Sequence, residues 1–289
     1  MLPLISCNGY VTKASTPLIS PFDRGFTLGD GLFETMKVTN GTVWYLDRHL
    51  ARLEGWAARV GIRVPASLRA WIDDVTRQGV QAGHTEHVLR VTLTRGVALT
   101  HGLAGAADQA PTVVIAAFEM PRFSPTVYER GLSVHIPATR RNERAATAGL
   151  KTTSYLESVL ILRDAIAAGY DDAILLDTCA LVAEASASNV FVWREGMLMT
   201  PPETCGILPG ITRAVVLEMA VQGGIPVCER EISLTELYAA EEIFLTSSLR
   251  GIVPVSRVDQ RPIGAGVPGE RTLQMMACYG RDDSHGRLA

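Results

Sequence analysis

Apolar and polar residues alternate over residues 32–38 and 42–45, and the Asn40-Gly41 pair between them is a hairpin signal. A shorter alternating run covers residues 2–5. Asp47 then opens a helix whose apolar stripe is Leu50, Leu53, Trp56, Ala57 and Val60, spaced at three and four residues. A second helix is predicted over residues 66–80 from Leu68, Trp71, Ile72 and Val75. Strands over 87–94 and 112–118 flank a Gly-rich loop, residues 96–107. Pro121 and Pro125 break the pattern after Glu119, which places an interdomain linker at 119–130, after a small α/β domain at 1–118.

Beyond the linker a larger domain, residues 131–289, is expected. Its strands fall at 132–137, 173–177, 188–193, 197–200, 243–247 and 253–258, with a turn at Glu195-Gly196. A helix over 154–168 is predicted to bury Leu156, Val159, Leu160 and Leu162. Another, over 211–222, follows Pro209-Gly210. The polar end, residues 281–289, reads as frayed. The mixture of strand and helix periods is that of an α+β or α/β chain.

Composition narrows the function classes. With 47% hydrophobic and 20% charged residues in 289, the chain has the balance of a soluble globular protein. A net charge of -3 offers no general attraction to nucleic acid or to an anionic membrane surface. No apolar run is long enough to span a bilayer, and residues 1–10 lack the basic-then-apolar order of a signal peptide. The five cysteines are far apart and odd in number, which reads as reduced thiols and a cytoplasmic location.

Lysine usage is sharper. Only Lys13, Lys37 and Lys151 occur among 27 basic residues. An amine that adds to an aldehyde cannot be replaced by a guanidinium, which stays protonated. Lys13 and Lys37 flank a strand or turn in polar alternation. Lys151, in Gly149-Leu150-Lys151-Thr152-Thr153-Ser154-Tyr155-Leu156, is expected at the entrance of a helix, a poor place for a mere surface cation on dipole grounds. Glu184 sits among apolar and small residues in Val182-Ala183-Glu184-Ala185-Ser186-Ala187-Ser188-Asn189. A carboxylate there needs a cation: either an arginine in a structural pair, or a protonated pyridine nitrogen. Pro209-Gly210-Ile211-Thr212-Arg213 can cup an anion at a helix start, and Arg52 offers a guanidinium that matches a phosphate. His84 and His87 have no third ligand, so no metal site is expected. No Walker loop, G-x-G-x-x-G, G-x-S-x-G or H-E-x-x-H motif is present.

In order along the chain stand Asp23-Arg24-Gly25-Phe26 with Gly29-Asp30-Gly31-Leu32-Phe33-Glu34-Thr35, then His49-x-x-Arg52-Leu53, Lys151 with Tyr155-Leu156, Glu184 through Asn189, and Gly206 through Arg213. Together they resemble the class IV aminotransferase family, fold type IV of the pyridoxal-phosphate enzymes, over about residues 8–258. The resemblance implies two domains with pyridoxal 5'-phosphate at their interface and Lys151 carrying it as a Schiff base. It implies that Glu184 pairs with the pyridine nitrogen and that Arg52, Ile211, Thr212 and Ser248 hold the phosphate. Tyr155 would reach the ring oxygen, with Ser188 and Asn189 also on the cofactor, while Phe33, Thr100 and Ser247 would line the substrate pocket. A homodimer is implied as well. The reaction expected is amino transfer between an amino acid or R-amine and a 2-oxo acid. The alternative within the family is a 4-amino-4-deoxychorismate lyase that releases pyruvate and 4-aminobenzoate. The stretch over residues 244–255 resembles lyase-like members more than typical branched-chain enzymes, whereas Tyr155 stands where some lyases carry a basic residue. Arg95, His101, Arg140 and Arg250 are further sources of charge for a substrate.

Overall fold

The structure, a computed structural model, describes residues 3–13, 18–100, 102–104 and 109–281. Its described residues divide into two compact units: those up to Pro121 with Leu150–Ser154, and Arg122–Gly149 with those from Tyr155 onwards. The stretch carrying Lys151 therefore groups with the first unit, so one cut at the linker does not describe the chain.

The first unit contains β1 (Leu4–Cys7), β2 (Tyr10–Lys13), α1 (Arg24–Leu28), β3 (Gly31–Thr39), β4 (Thr42–Val43), α2 (Leu46–Val60), α3 (Leu68–Gln81), β5 (Glu86–Thr94) and β6 (Thr112–Glu119). Its antiparallel sheet runs β2-β1-β6-β5-β3-β4. Alternate residues of a strand face opposite ways. Leu32, Met36 and Val38 thus share one face with their partners Leu93 and Leu89, and α2 and α3 close that face through Leu50, Leu53, Ala57, Ile72 and Val75. Asn40 and Gly41 both take left-handed φ (50° and 78°), the geometry a two-residue hairpin demands.

The second unit contains α4 (Pro125–Arg130), β7 (Leu132–His135), β8 (Arg140–Arg141), α5 (Leu156–Ala167), β9 (Asp172–Asp177), β10 (Val182–Ala185), β11 (Asn189–Arg194), β12 (Met197–Thr200), α6 (Ile211–Gln222), β13 (Val227–Glu229), α7 (Leu234–Tyr238), β14 (Glu242–Ser247), β15 (Gly251–Val258), β16 (Arg261–Pro262) and α8 (Glu270–Arg281). Its mixed sheet follows β10-β9-β7-β15-β14-β11-β12-β13, with β8 beside β9 and β16 beside β15. Leu176, Val190, Val192, Leu245, Val253 and Val255 belong to its main apolar cluster. Helices α6 and α8 pack on β14, and α5 packs on β9.

Several expectations change. The strand predicted over 42–45 ends at Val43, because Tyr45 adopts a left-handed φ of 53° and α2 begins at Leu46. Residues 125–130 of the expected linker form a helix, α4, set against β15. Helix α5 buries Ile161 and Ala165 rather than the predicted stripe, leaving Leu156 68% and Val159 55% exposed and Leu160 exposed as well. Apolar residues line more than one face of this helix, so periodicity alone did not select the face that meets β9. The short β10 and α7, and the twelve-residue α8, escaped the sequence reading. The expected fraying of 281–289 lies, from residue 282 on, outside the described residues.

Candidate active site

In the first unit, Lys151 is held beside an isolated β-bridge to β3. The Phe33 N–H donates to the Lys151 carbonyl at 2.9 Å, the Thr153 N–H to the Gly31 carbonyl at 2.9 Å, and Leu32 bridges Thr152 in antiparallel register. The Thr153 hydroxyl donates to the Gly29 carbonyl at 2.8 Å. The expected helix entrance is thus incorrect: α5 starts at Leu156, and Thr153 spends its donors on β3 and the turn before it. Lys151 Nζ lies 4.6 Å from the centroid of the buried Phe33 ring, and the Arg90 guanidinium lies 3.6 Å from the same ring. Cations over an aromatic face gain from its quadrupole while the ring shields them from water. Lys37 is engaged elsewhere, over Trp44 at 4.3 Å.

Arg52 does not stand alone on its helix. Glu34, 1% exposed on the helix-covered face of the sheet, accepts from Arg52 Nε at 2.8 Å and Nη2 at 2.6 Å, and contacts His49 Nδ1 at 2.6 Å. Burial pushes the Glu34 carboxyl up, but the bonds from His49 and the Arg52 charge outweigh it and bring its pKa to about 2. Burial pushes His49 below its usual value; the Glu34 contact opposes this, and the charges of Arg52 and Lys151 add to it. His49 is then neutral near pH 7, and because ionised Glu34 only accepts, Nδ1 is the donor.

In the second unit, Glu184 is the hub. Arg141 Nη2 lies 3.0 Å from Oε1, the Leu208 N–H donates to Oε2 at 2.9 Å, and Asn189 Nδ2 approaches Oε2 at 3.4 Å. Asn189 Nδ2 also donates to the Leu208 carbonyl at 2.8 Å. Both readings of Glu184 had required a cation, and Arg141 is one. Its chain neighbour Arg140 turns instead to the carbonyls of Pro137 and Ala138, as successive strand residues must diverge.

The same cluster sets the start of α6. Its N-cap, Gly210, is extended with no side-chain cap, and Thr212 and Ile211 are buried in the first turn. A Cβ on Gly210 would clash with Asn189 Oδ1, so only glycine lets the helix start approach that closely. Asn189 pairs across the sheet with Thr246, whose buried hydroxyl has no hydrogen-bond partner among the described residues. Ser247 ends β14, and Ser248 begins the turn to β15. Glu184, Asn189, Ile211 and Thr212 thus share one cluster, with Ser188 leading into it. Tyr155 is the N-cap residue of α5.

Phe33, Arg52 and Lys151 belong to the first unit. Thr100 lies exposed on a loop there, and His101 is outside the described residues. Arg95 pairs with Asp30 and caps the end of α2 through the Val60 and Gly61 carbonyls. Arg250 lies 3.7 Å from Asp172. Sequence reasoning passed over Glu34, His49, Arg90 and Arg141 as site residues. Glu34 did leave a signal: it interrupts the apolar row Leu32, Met36, Val38, and His49 and Arg52 border the apolar stripe of α2.

The amino-transferase class IV family matches residues 31–258. A protein from Methanocaldococcus jannaschii, provisionally named a branched-chain-amino-acid aminotransferase, is 34% identical over 94% of this chain and 93% of its own. The D-alanine aminotransferase of Bacillus licheniformis is 32% identical over 92% of each. Among solved structures, the branched-chain amino acid aminotransferase of Escherichia coli aligns with a TM-score of 0.90 at 26% identity, over 98% of this chain and 96% of that one. The 4-amino-4-deoxychorismate lyase of Pseudomonas aeruginosa aligns with a TM-score of 0.84 at 32% identity, over 97% and 99%. The chain belongs to the class IV aminotransferases and has the fold of the type IV enzymes.

Proposed function

We propose that this aminotransferase uses pyridoxal 5'-phosphate held on Lys151 to move an amino group between an amino acid or R-amine and a 2-oxo acid. The observation that carries the reading is the Glu184 cluster: a buried carboxylate tied through Leu208 and Asn189 to an uncapped helix start. A carboxylate suits the ring nitrogen and a bare helix start suits the phosphate, so the residues fit the cofactor. The Thr246 hydroxyl beside Asn189, unpartnered among the described residues, adds a polar atom that a ligand would satisfy.

When bound, the cofactor supplies an aldehyde that condenses with amines and a protonated ring that takes up electrons from the substrate carbon. The chain's own residues do the rest. Lys151 Nζ takes and returns the proton at the substrate α-carbon. Glu184 pairs with the ring nitrogen, with Arg141 Nη2 3.0 Å from its other side at Oε1. Arg52, the N–H groups of Ile211 and Thr212, the Thr212 hydroxyl and Ser248 hold the phosphate. Tyr155 faces the ring oxygen, and Ser188 and Asn189 support the ring. Phe33, Thr100 and Ser247 line the substrate site, and Arg90, sharing the Phe33 ring with Lys151, receives a substrate carboxylate.

A homodimer is part of the reading. In the first unit Phe22, Phe26, Val97, Leu99 and Leu103 are exposed, apolar side chains that a second copy of the chain would cover. All five cysteines are free, which supports the reducing cytoplasm as its location. Among the described residues no helix is long and apolar enough to cross a membrane.

The test is a half-reaction screen. Cofactor-loaded protein is mixed with D- and L-amino acids and R-amines, without an acceptor, and the absorbance is followed. Conversion to the pyridoxamine form by at least one donor is expected. If no donor converts it while aminodeoxychorismate yields pyruvate and 4-aminobenzoate, the transaminase reading is wrong.

A further inference from the structure

Glu34 occupies a row of the first unit's sheet that is otherwise apolar: Leu32, Met36 and Val38 flank it, and Val91 stands opposite. An ionised carboxylate in such a row is costly to bury, and an aliphatic residue would pack there at no such cost. Its three contacts are not scattered. All come from one turn of α2, from His49 and from Arg52 three residues later. Arg52 also lies 4.9 Å from the ring centroid of Trp56, one turn further on. The guanidinium is therefore held at its Nε/Nη2 edge by Glu34 and on its face by Trp56. Glu34 thus accepts a hydrogen bond from His49 and pairs its charge with Arg52.

We propose that Glu34 is the positioning residue of Arg52: by holding its Nε and Nη2 it fixes the orientation of the guanidinium that meets the cofactor's phosphate. A free arginine side chain would have to be ordered at the moment of binding, whereas a clamped fork meets an oxyanion already oriented. The proposal rests on the reading of Arg52 as a phosphate residue.

The experiment titrates the apoprotein with pyridoxal 5'-phosphate and with pyridoxal, which lacks the phosphate, and takes the ratio of the two dissociation constants as the phosphate preference. Arg52→Ala is expected to lower that preference by about tenfold or more, and Glu34→Gln by a comparable factor, with pyridoxal binding little changed in both. The double variant is expected to lose no more than Arg52→Ala alone, since a residue acting through another has nothing left to position. An unchanged preference in Glu34→Gln, an equal loss for both ligands, or additive losses in the double variant would overturn the proposal. Should Arg52→Ala keep the full preference, it is the reading of Arg52 itself that fails. If Glu34→Gln shows no cooperative melt, Glu34→Asp, which keeps the charge but stops short of Arg52, is read the same way. Its expected loss is about threefold to tenfold, and no loss overturns the proposal.

Discussion

The backbone N–H of Phe33 donates to the carbonyl of Lys151 at 2.9 Å, while Lys151 Nζ rests 4.6 Å from the centroid of the Phe33 ring. One residue of β3 therefore fixes both ends of the lysine: its main chain by the hydrogen bond, its amine by the ring. The lysine needs no helix of its own, because an isolated β-bridge to a nine-residue strand sets its direction.

Lys151→Ala is expected to lower turnover by about two to four orders of magnitude, the range a general acid-base group contributes. Borohydride treatment of the loaded wild-type protein should leave the cofactor's mass on the peptide that contains Lys151, and on none in the variant. A variant that turns over normally removes Lys151 from the mechanism.

Glu184→Gln keeps the shape of the Leu208 contact but removes the charge that faces Arg141. Cofactor is expected to bind, with α-proton removal slowed by on the order of 10². Stopped-flow absorbance with a donor deuterated at the α-carbon reads that step. An undiminished rate means that Glu184 is only the structural partner of Arg141.

Acid stability follows from Glu34 and His49. Glu34 falls from a usual 4.5 to about 2 on folding, so its contribution is fully present above about pH 5 and is lost as pH drops towards 2. That shift corresponds to on the order of 3 kcal/mol for a carboxylate so deeply buried. His49 is lowered from 6.5, so the unfolded chain takes up its proton first and stability begins to fall as pH drops through 6.5. Both groups act in the same sense. Chemical denaturation between pH 7 and 3 should show this slope, and in Glu34→Gln the part below pH 5 should flatten; an equally steep acid limb in the variant contradicts the assignment.

Gly210→Ala tests the helix start. The backbone there, with φ of -69°, accepts alanine, so the penalty comes from the contacts with Asn189, chiefly its Oδ1, and with Arg213 Cβ. A loss of about 1–3 kcal/mol is expected, together with weaker cofactor binding as the α6 N-terminus is pushed from Asn189. A thermal melt and a cofactor titration measure the two effects, and wild-type values in both would show that the approach is not tight.

Much of this protein was legible along the chain. The hairpin at Asn40-Gly41, the stripe of α2 and the glycine before α6 each depend on neighbours within a few residues, and local rules of spacing and φ suffice for them. The scarcity of lysine singled out Lys151, and a lone acid among small residues singled out Glu184. The face that α5 buries, the setting of Lys151 beside a β-bridge to β3, and the meeting of Glu184 with Arg141 rather than Arg140 depend on residues tens of positions apart. Arg52 shows the division most plainly. The sequence alone marked it as a guanidinium suited to a phosphate. Only tertiary structure brought Glu34, eighteen residues away on a strand, against its Nε edge, because strand alternation and helix rotation become mutually fixed only when α2 packs on the sheet.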